Sequence, residues 1–222
     1  MTEEEFNMMI PVFWEICTPN SEQRNVFTDM KDGTIRYQKV SVYLENHCGK
    51  FGELFHPNTQ DTVHSTFYIK KCLQGQVYRS AENDCRGTGS SPEWGAVKYQ
   101  FCPTNDRSCD MTAKDDNGRD IYVADPTKSP AAKACADDTT AGKSWYLPMG
   151  NVILIDNFLR YSSEIITGTS NLYWINRAYY NDKSSTWYID SSDGSRKYLS
   201  NTYINKNEYA YVLCTSIRGN EK

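Results

Sequence analysis

No apolar run in this chain approaches the roughly 20 residues that a membrane-crossing helix needs. That excludes a helical transmembrane segment. Lysine and arginine nowhere accumulate, and the formal net charge is −4. A scattered, mildly acidic balance argues against nucleic acid or an anionic membrane as the main partner. Histidine is scarce: His47, His56 and His64 are the only three, all in one stretch. So few histidines leave few ways to assemble a nucleophile, a base and an orienting group, and neither G-x-S-x-G nor H-E-x-x-H occurs. No C-x-x-C pair is present, which disfavours a structural zinc. The acidic turn Asp115-Asp116-Asn117-Gly118 lacks the spacing and closing glutamate of a calcium loop. No Asn-x-Ser/Thr sequon suggests a glycosylated eukaryotic ectodomain. The expectation is therefore no catalytic residue, no metal and no cofactor.

What the chain does have is cysteine and tyrosine. Eight cysteines, Cys17, Cys48, Cys72, Cys85, Cys102, Cys109, Cys135 and Cys214, form an even set that fits four disulfides and an oxidising compartment. There are 16 Tyr and 5 Trp against 8 Phe, aromatics that pack on one edge and hydrogen-bond on the other. The 222 residues are enough for one large or two small domains. The start, MTEEEFNMMI, is acidic and unlike a signal peptide. Disulfides without an export signal read as a chain whose leader was removed and a Met added.

Residues 1–24 read as a terminal strand or short helix packed on the domain that follows, with Phe13, Trp14 and Ile16 available for burial and Pro11 limiting any helix before it. Asp32-Gly33 is a turn dipeptide between strand-forming residues, predicting a hairpin over 25–48. The span 72–133 is the least regular. Cys72 and Cys85 bound one short loop there, Cys102 and Cys109 a tighter one, and residues 94–102 and 121–125 read as strands. Pro130 and the alanines after it predict a short helix carrying Cys135, ended by Asp137–Gly142. A Trp145-Tyr146-Leu147-Pro148 corner then leads to a second helix over Asn151–Arg160, where Val152, Ile155 and Leu159 recur at helical spacing behind an Asn151 cap. Strands follow at 172–176 and 185–190, the latter in a hairpin with 196–201 through Asp193-Gly194, and one long alternating strand at 208–217 closes the chain.

Taken in order, Ala132, Cys135, Gly142, Trp145, Leu147, Pro148, Tyr173, Trp174, Trp187, Gly194 and Cys214 resemble the pattern of a bacterial C-type-lectin-like family. That family includes the C-terminal domain of a collagen-like adhesin and spirochaete surface proteins. The likeness covers residues 27–217, most closely after residue 130. Tyr146, Met149 and Val152 stand where the family has Arg, Thr and Glu, so the capping box of the second helix is lost. The resemblance implies an α+β fold of the C-type-lectin-like kind: two short helices, antiparallel strands and long loops, over 25–222, with a cysteine-rich insertion at about 49–129. It also implies a disulfide between Cys135 and Cys214. The other six cysteines allow 15 pairings; proximity favours Cys72–Cys85 and Cys102–Cys109, leaving Cys17–Cys48.

The calcium-binding Glu-Pro-Asn, Gln-Pro-Asp and Trp-Asn-Asp motifs of sugar-binding C-type lectins are absent. The resemblance therefore implies calcium-independent recognition of a host or matrix glycan or protein by a secreted or surface-exposed, adhesin-like module. A lipid anchor outside this chain and a homo-oligomer both fit such a protein. The candidate binding residues are Asn176, Arg177, Tyr179, Tyr180, Asn181, Asp182 and Trp187, a mixture that forms contact surfaces at low entropic cost. The alternatives are a structural subunit of a surface assembly, and an envelope hydrolase built around His56 or His64.

Overall fold

In the computed structural model, residues 21–43, 62–91, 93–114, 117–148, 172–179, 181–190 and 203–217 are described. Strands come first: β1 (Ser21–Asp29), β2 (Thr34–Tyr43), β3 (Thr62–Lys70), β4 (Val77–Arg79), β5 (Asp84–Arg86), β6 (Lys98–Gln100), β7 (Asp110–Lys114) and β8 (Asp120–Ala124). The helix α1 (Pro130–Ala136) and a 3-10 turn at Thr140–Gly142 follow. Then come β9 (Leu172–Ala178), β10 (Ser185–Asp190), β11 (Tyr203–Asn205), β12 (Tyr209–Tyr211) and β13 (Thr215–Ile217). The strands make a sheet of order β1-β2-β3-β13, a second of order β11-β10-β9-β12-β6, and the hairpins β4-β5 and β7-β8. The result is a mostly β, disulfide-bonded α+β protein. Its chain divides into two compact units, Met1–Val26 with Tyr37–Thr66, and Phe27–Arg36 with Phe67–Lys222. In the first, the described residues are strand segments, with Gln38 Nε2 donating to Thr66 Oγ1 at 3.4 Å. The second holds everything discussed below.

Its core follows from aromatics and small residues alternating into one interior. Trp145, Trp174, Phe101, Leu147, Val212 and the alanines of α1 are buried together with two disulfides. Trp174 meets Phe101 edge to face at 5.9 Å, and each indole N–H finds a carbonyl: Trp174 to Tyr99 at 2.6 Å, Trp145 to Thr140 at 2.9 Å. The expected turn at Asp32-Gly33 is present. Asp32 accepts from the Thr34 amide at 2.9 Å, and Gly33 takes φ +88° with the Tyr78 ring 3.3 Å from where a Cβ would sit.

Helix α1 begins as expected, with Ser129 capping the Ala132 amide and Pro130 in the first turn. It buries Ala131, Ala132 and Cys135. Cys135 bonds Cys214, joining positions 79 residues apart. The bonds Cys72–Cys85 and Cys102–Cys109 also stand as expected, so no described cysteine is free. Cys17, Cys48 and the second helix expected over 151–160 lie outside the described residues. The corner at Trp145–Pro148 is held by Tyr146, whose N–H and C=O exchange 2.9 Å hydrogen bonds with Thr215.

Two expectations for strands need correction. Residues 94–102 yield only three strand residues, because Trp94 and Gly95 adopt positive φ and turn the chain before β6. The closing run is not one strand. Its first part, β12, lies antiparallel to β6 and touches β9 in parallel at Tyr211 and Tyr173. Its last part, β13, pairs with β3 in the other sheet. Val212, Leu213 and Cys214 make the crossing and are fully buried. One chain segment thus serves two sheets, and the Cys214 sulfur in its crossing is bonded to α1 through Cys135.

Past the end of α1, Asp138 is bonded by Lys70, the Gln74 amide and the Thr140 amide. Burial pushes its carboxyl up, but the hydrogen bonds from Lys70 and Thr140 outweigh this and hold it below its ordinary value of 3.8. A depressed folded-state value means the stabilisation is whole above pH 3.8 and drains away as pH falls through the folded value. The melting temperature is expected to be flat down to about pH 5 and to fall below about pH 4. Asp138→Asn is expected to start lower and fall less over the acid range. Thermal melts of both proteins across pH check this.

Candidate functional site

The segment after β9 is shaped by a break in strand register. β10 pairs Thr186 with Ala178 and Tyr188 with Trp174, so the single residue Trp187 faces the three residues 175–177 of β9. Such a bulge bends a strand and re-aims its side chains. Its three residues go different ways. Ile175 is buried. Asn176 turns inward, where its side-chain oxygen accepts from the Ala124 amide at 2.6 Å and its own amide donates to Pro148 at 2.8 Å. Arg177 is exposed, while its carbonyl accepts from the Thr186 hydroxyl at 2.9 Å.

The loop back to β10 is braced by Asp182. Its carboxylate accepts from the Ser184 amide at 2.9 Å, the Ser184 hydroxyl at 2.8 Å and the Ser185 hydroxyl at 2.5 Å. The Ser185 hydroxyl first, then Ser184, hold this carboxyl below its ordinary value. Asp182 is thus occupied in closing the turn, and Asn181 beside it is exposed.

Tyr179 lies across this turn. Its ring stacks on Tyr203 of β11 with centroids 4.3 Å apart and planes 14° from parallel, and it meets Trp187 edge-on at 5.8 Å. Trp187 and Tyr203 are direct cross-strand partners, so one strand pair places both beside Tyr179. Tyr203 is 42% exposed, a large fraction for an aromatic, and makes the outer face of the stack. Of the predicted residues, then, Tyr179 and Trp187 meet in one aromatic stack, Arg177 and Asn181 are exposed in the same β9–β10 segment, Asn176 and Asp182 are used internally, and Tyr180 lies outside the described residues. Tyr203 is the residue that sequence reasoning missed. It stands past 196–201, the stretch expected to pair with β10, and nothing local marks it as a strand. Residues 191–202 lie outside the described residues.

A cleft of about 630 Å³ runs beside α1, between Gln74 and Tyr99 on one side and Lys133, Asp137 and Thr139 on the other. It is polar, and its exposed Lys133–Asp137 pair is satisfied within the helix at 2.8 Å. Among the described residues no three His, Cys, Asp or Glu side chains gather as a metal site would require, and no helix is long and apolar enough to cross a membrane. His47 and His56 lie outside those residues. Neither a family model, nor a curated protein, nor a solved structure matches this chain.

Proposed function

We propose that this protein is a secreted or surface-exposed bacterial binding module of the C-type-lectin-like kind, adhesin-like, which recognises a glycan or an extracellular protein without calcium. The observation that carries this reading is the stack of Tyr179 on Tyr203 with Trp187 against it; Arg177 and Asn181 of the same β9–β10 segment are exposed. Flat aromatic faces take the apolar face of a sugar ring or a peptide side chain, and neighbouring amide and guanidinium groups supply directional hydrogen bonds. Three disulfides within the described residues suit an oxidising, extracellular setting.

Screening the protein on glycan and matrix-protein arrays provides the ligand, and Tyr203→Ala and Arg177→Ala provide the test. Both side chains are exposed enough that the fold should tolerate their loss. Tyr203→Ala is expected to weaken binding roughly tenfold or more, as for an aromatic hot spot. Unchanged affinity in both variants would remove this surface from the account.

A further inference from the structure

Lysine is rarely buried completely, yet the side chain of Lys71 is 0% exposed. What surrounds it is a set of reactive partners. Its Nζ lies 2.6 Å from the side-chain oxygen of Asn83 and 2.9 Å from Asp29 Oδ2. The same Asp29 oxygen accepts from the Asn83 amide nitrogen at 2.7 Å. The Tyr78 hydroxyl donates to the Asn83 side-chain oxygen at 2.7 Å. One carboxylate oxygen thus touches both nitrogens, and the carboxamide carbonyl is polarised from two directions.

We propose that Lys71 and Asn83 form an intramolecular amide cross-link, with Asp29 as the proton shuttle and Tyr78 as the donor to the oxyanion. Lys71 Nζ gives a proton to Asp29 and attacks the side-chain carbonyl carbon of Asn83. The negative charge that develops on the oxygen is held by the Tyr78 hydroxyl, a donor already in place before reaction. Asp29 passes protons on to the departing nitrogen, the old C–N bond breaks, and ammonia leaves. Of the three protons on the Lys71 ammonium, one stays on the new amide. The other two depart with the released nitrogen as ammonium, so the balance needs no oxidant, reductant or further reactant.

The fold holds the reactants together. Lys71 precedes Cys72, and Asn83 stands two positions before Cys85, so the Cys72–Cys85 disulfide, with Cα atoms 5.4 Å apart, closes nucleophile on electrophile. The Lys71 amide donates to Gly33 at 2.8 Å, which brings in the turn after Asp29. Asn83 itself sits at φ +55°, a conformation asparagine tolerates and one the site requires of it. Burial pushes the Asp29 carboxyl up, but hydrogen bonds from Asn83, the Lys31 amide and Lys71 more than offset it, leaving the carboxylate ionised as a proton acceptor must be.

The experiment is mass spectrometry of the full, folded chain after incubation at neutral pH. The expected result is a loss of about 17 Da, one ammonia, beyond the disulfides. After reduction, alkylation and trypsin, a branched peptide is expected to join Lys71 to Asn83, with no cleavage after Lys71. Asp29→Asn is expected to give no branched peptide, and Tyr78→Phe to slow its formation roughly 100-fold or more. Circular dichroism and an intact Cys72–Cys85 bond show that each variant has folded. A folded wild-type protein of unchanged mass overturns the proposal. So does the same mass loss carried by a linear peptide, which would be succinimide formation at Asn83, and so does cross-linking undiminished in both folded variants.

Discussion

Replacing Cys135 and Cys214 together by alanine is expected to cost about 4–5 kcal/mol, the loop entropy released when positions 79 residues apart are no longer joined. For a chain of this size that is a fall of roughly 10–20 °C in melting temperature. Without that bond, α1 has only seven residues and three buried side chains with which to hold its place. At its other end, the Val212–Cys214 crossing between the two sheets keeps its packing but loses its anchor. The control is Cys102→Ala/Cys109→Ala, whose loop spans 7 positions and whose loss is expected to cost about 2–3 kcal/mol. Denaturant unfolding of both double variants under non-reducing conditions ranks them. Equal losses would show that loop length is not the origin of the stabilisation.

Lys206→Met is the second large effect. The Lys206 ammonium is completely buried and donates to both oxygens of Asp110 at 2.7 Å and to the Asp106 carbonyl at 2.9 Å, inside the loop that Cys102–Cys109 begins. Removing it leaves the Asp110 carboxylate, 2% exposed, with the longer Arg107 contact at 3.6 Å in place of its close partner. Breaking a buried pair by removing one partner costs about 3–5 kcal/mol. Desolvation pulls the Lys206 ammonium below its ordinary value even though Asp110 opposes this, a sign of how much its burial costs. Replacing both partners, Lys206→Met with Asp110→Leu, is expected to recover most of the loss, because the penalty belongs to the orphaned charge and not to the missing bond. A double-mutant cycle by denaturant unfolding separates the two. A double variant no better than Lys206→Met would mean that the loop needs the ion pair's geometry.

Much of this was legible because it is local. The Asp32-Gly33 turn, the Pro130 start of α1 and the two short cysteine loops each depend on residues within about a dozen positions, where propensity and loop closure decide. The strands expected at 172–176 and 185–190, found as β9 and β10, announced themselves by aromatic and β-branched content. Cys135–Cys214 is not local, and it was anticipated only through a resemblance in the order of residues around Trp145.

The proposed contact surface was half legible. Tyr179 and Trp187 stand in a tyrosine- and asparagine-rich stretch that reads as a contact surface. Their meeting with Tyr203 depends on a three-residue strand whose register no local signal specifies. Asn176 and Asp182 looked like ligand-facing residues for the same compositional reason. In the fold their polar atoms are taken up by the Ala124 amide and by Ser184 and Ser185.

Cysteine count, turn dipeptides and apolar alternation therefore determined that this chain is a disulfide-bonded, strand-rich protein with a short alanine helix starting at Pro130. They could not determine which sheet the last strand joins, or which lysines are inside. Those outcomes rest on partners far off in sequence, β3 for β13, Asp110 for Lys206 and the Asp29–Asn83 pair for Lys71. A lysine is worth burying only where such partners converge, and convergence is a property of the packed chain.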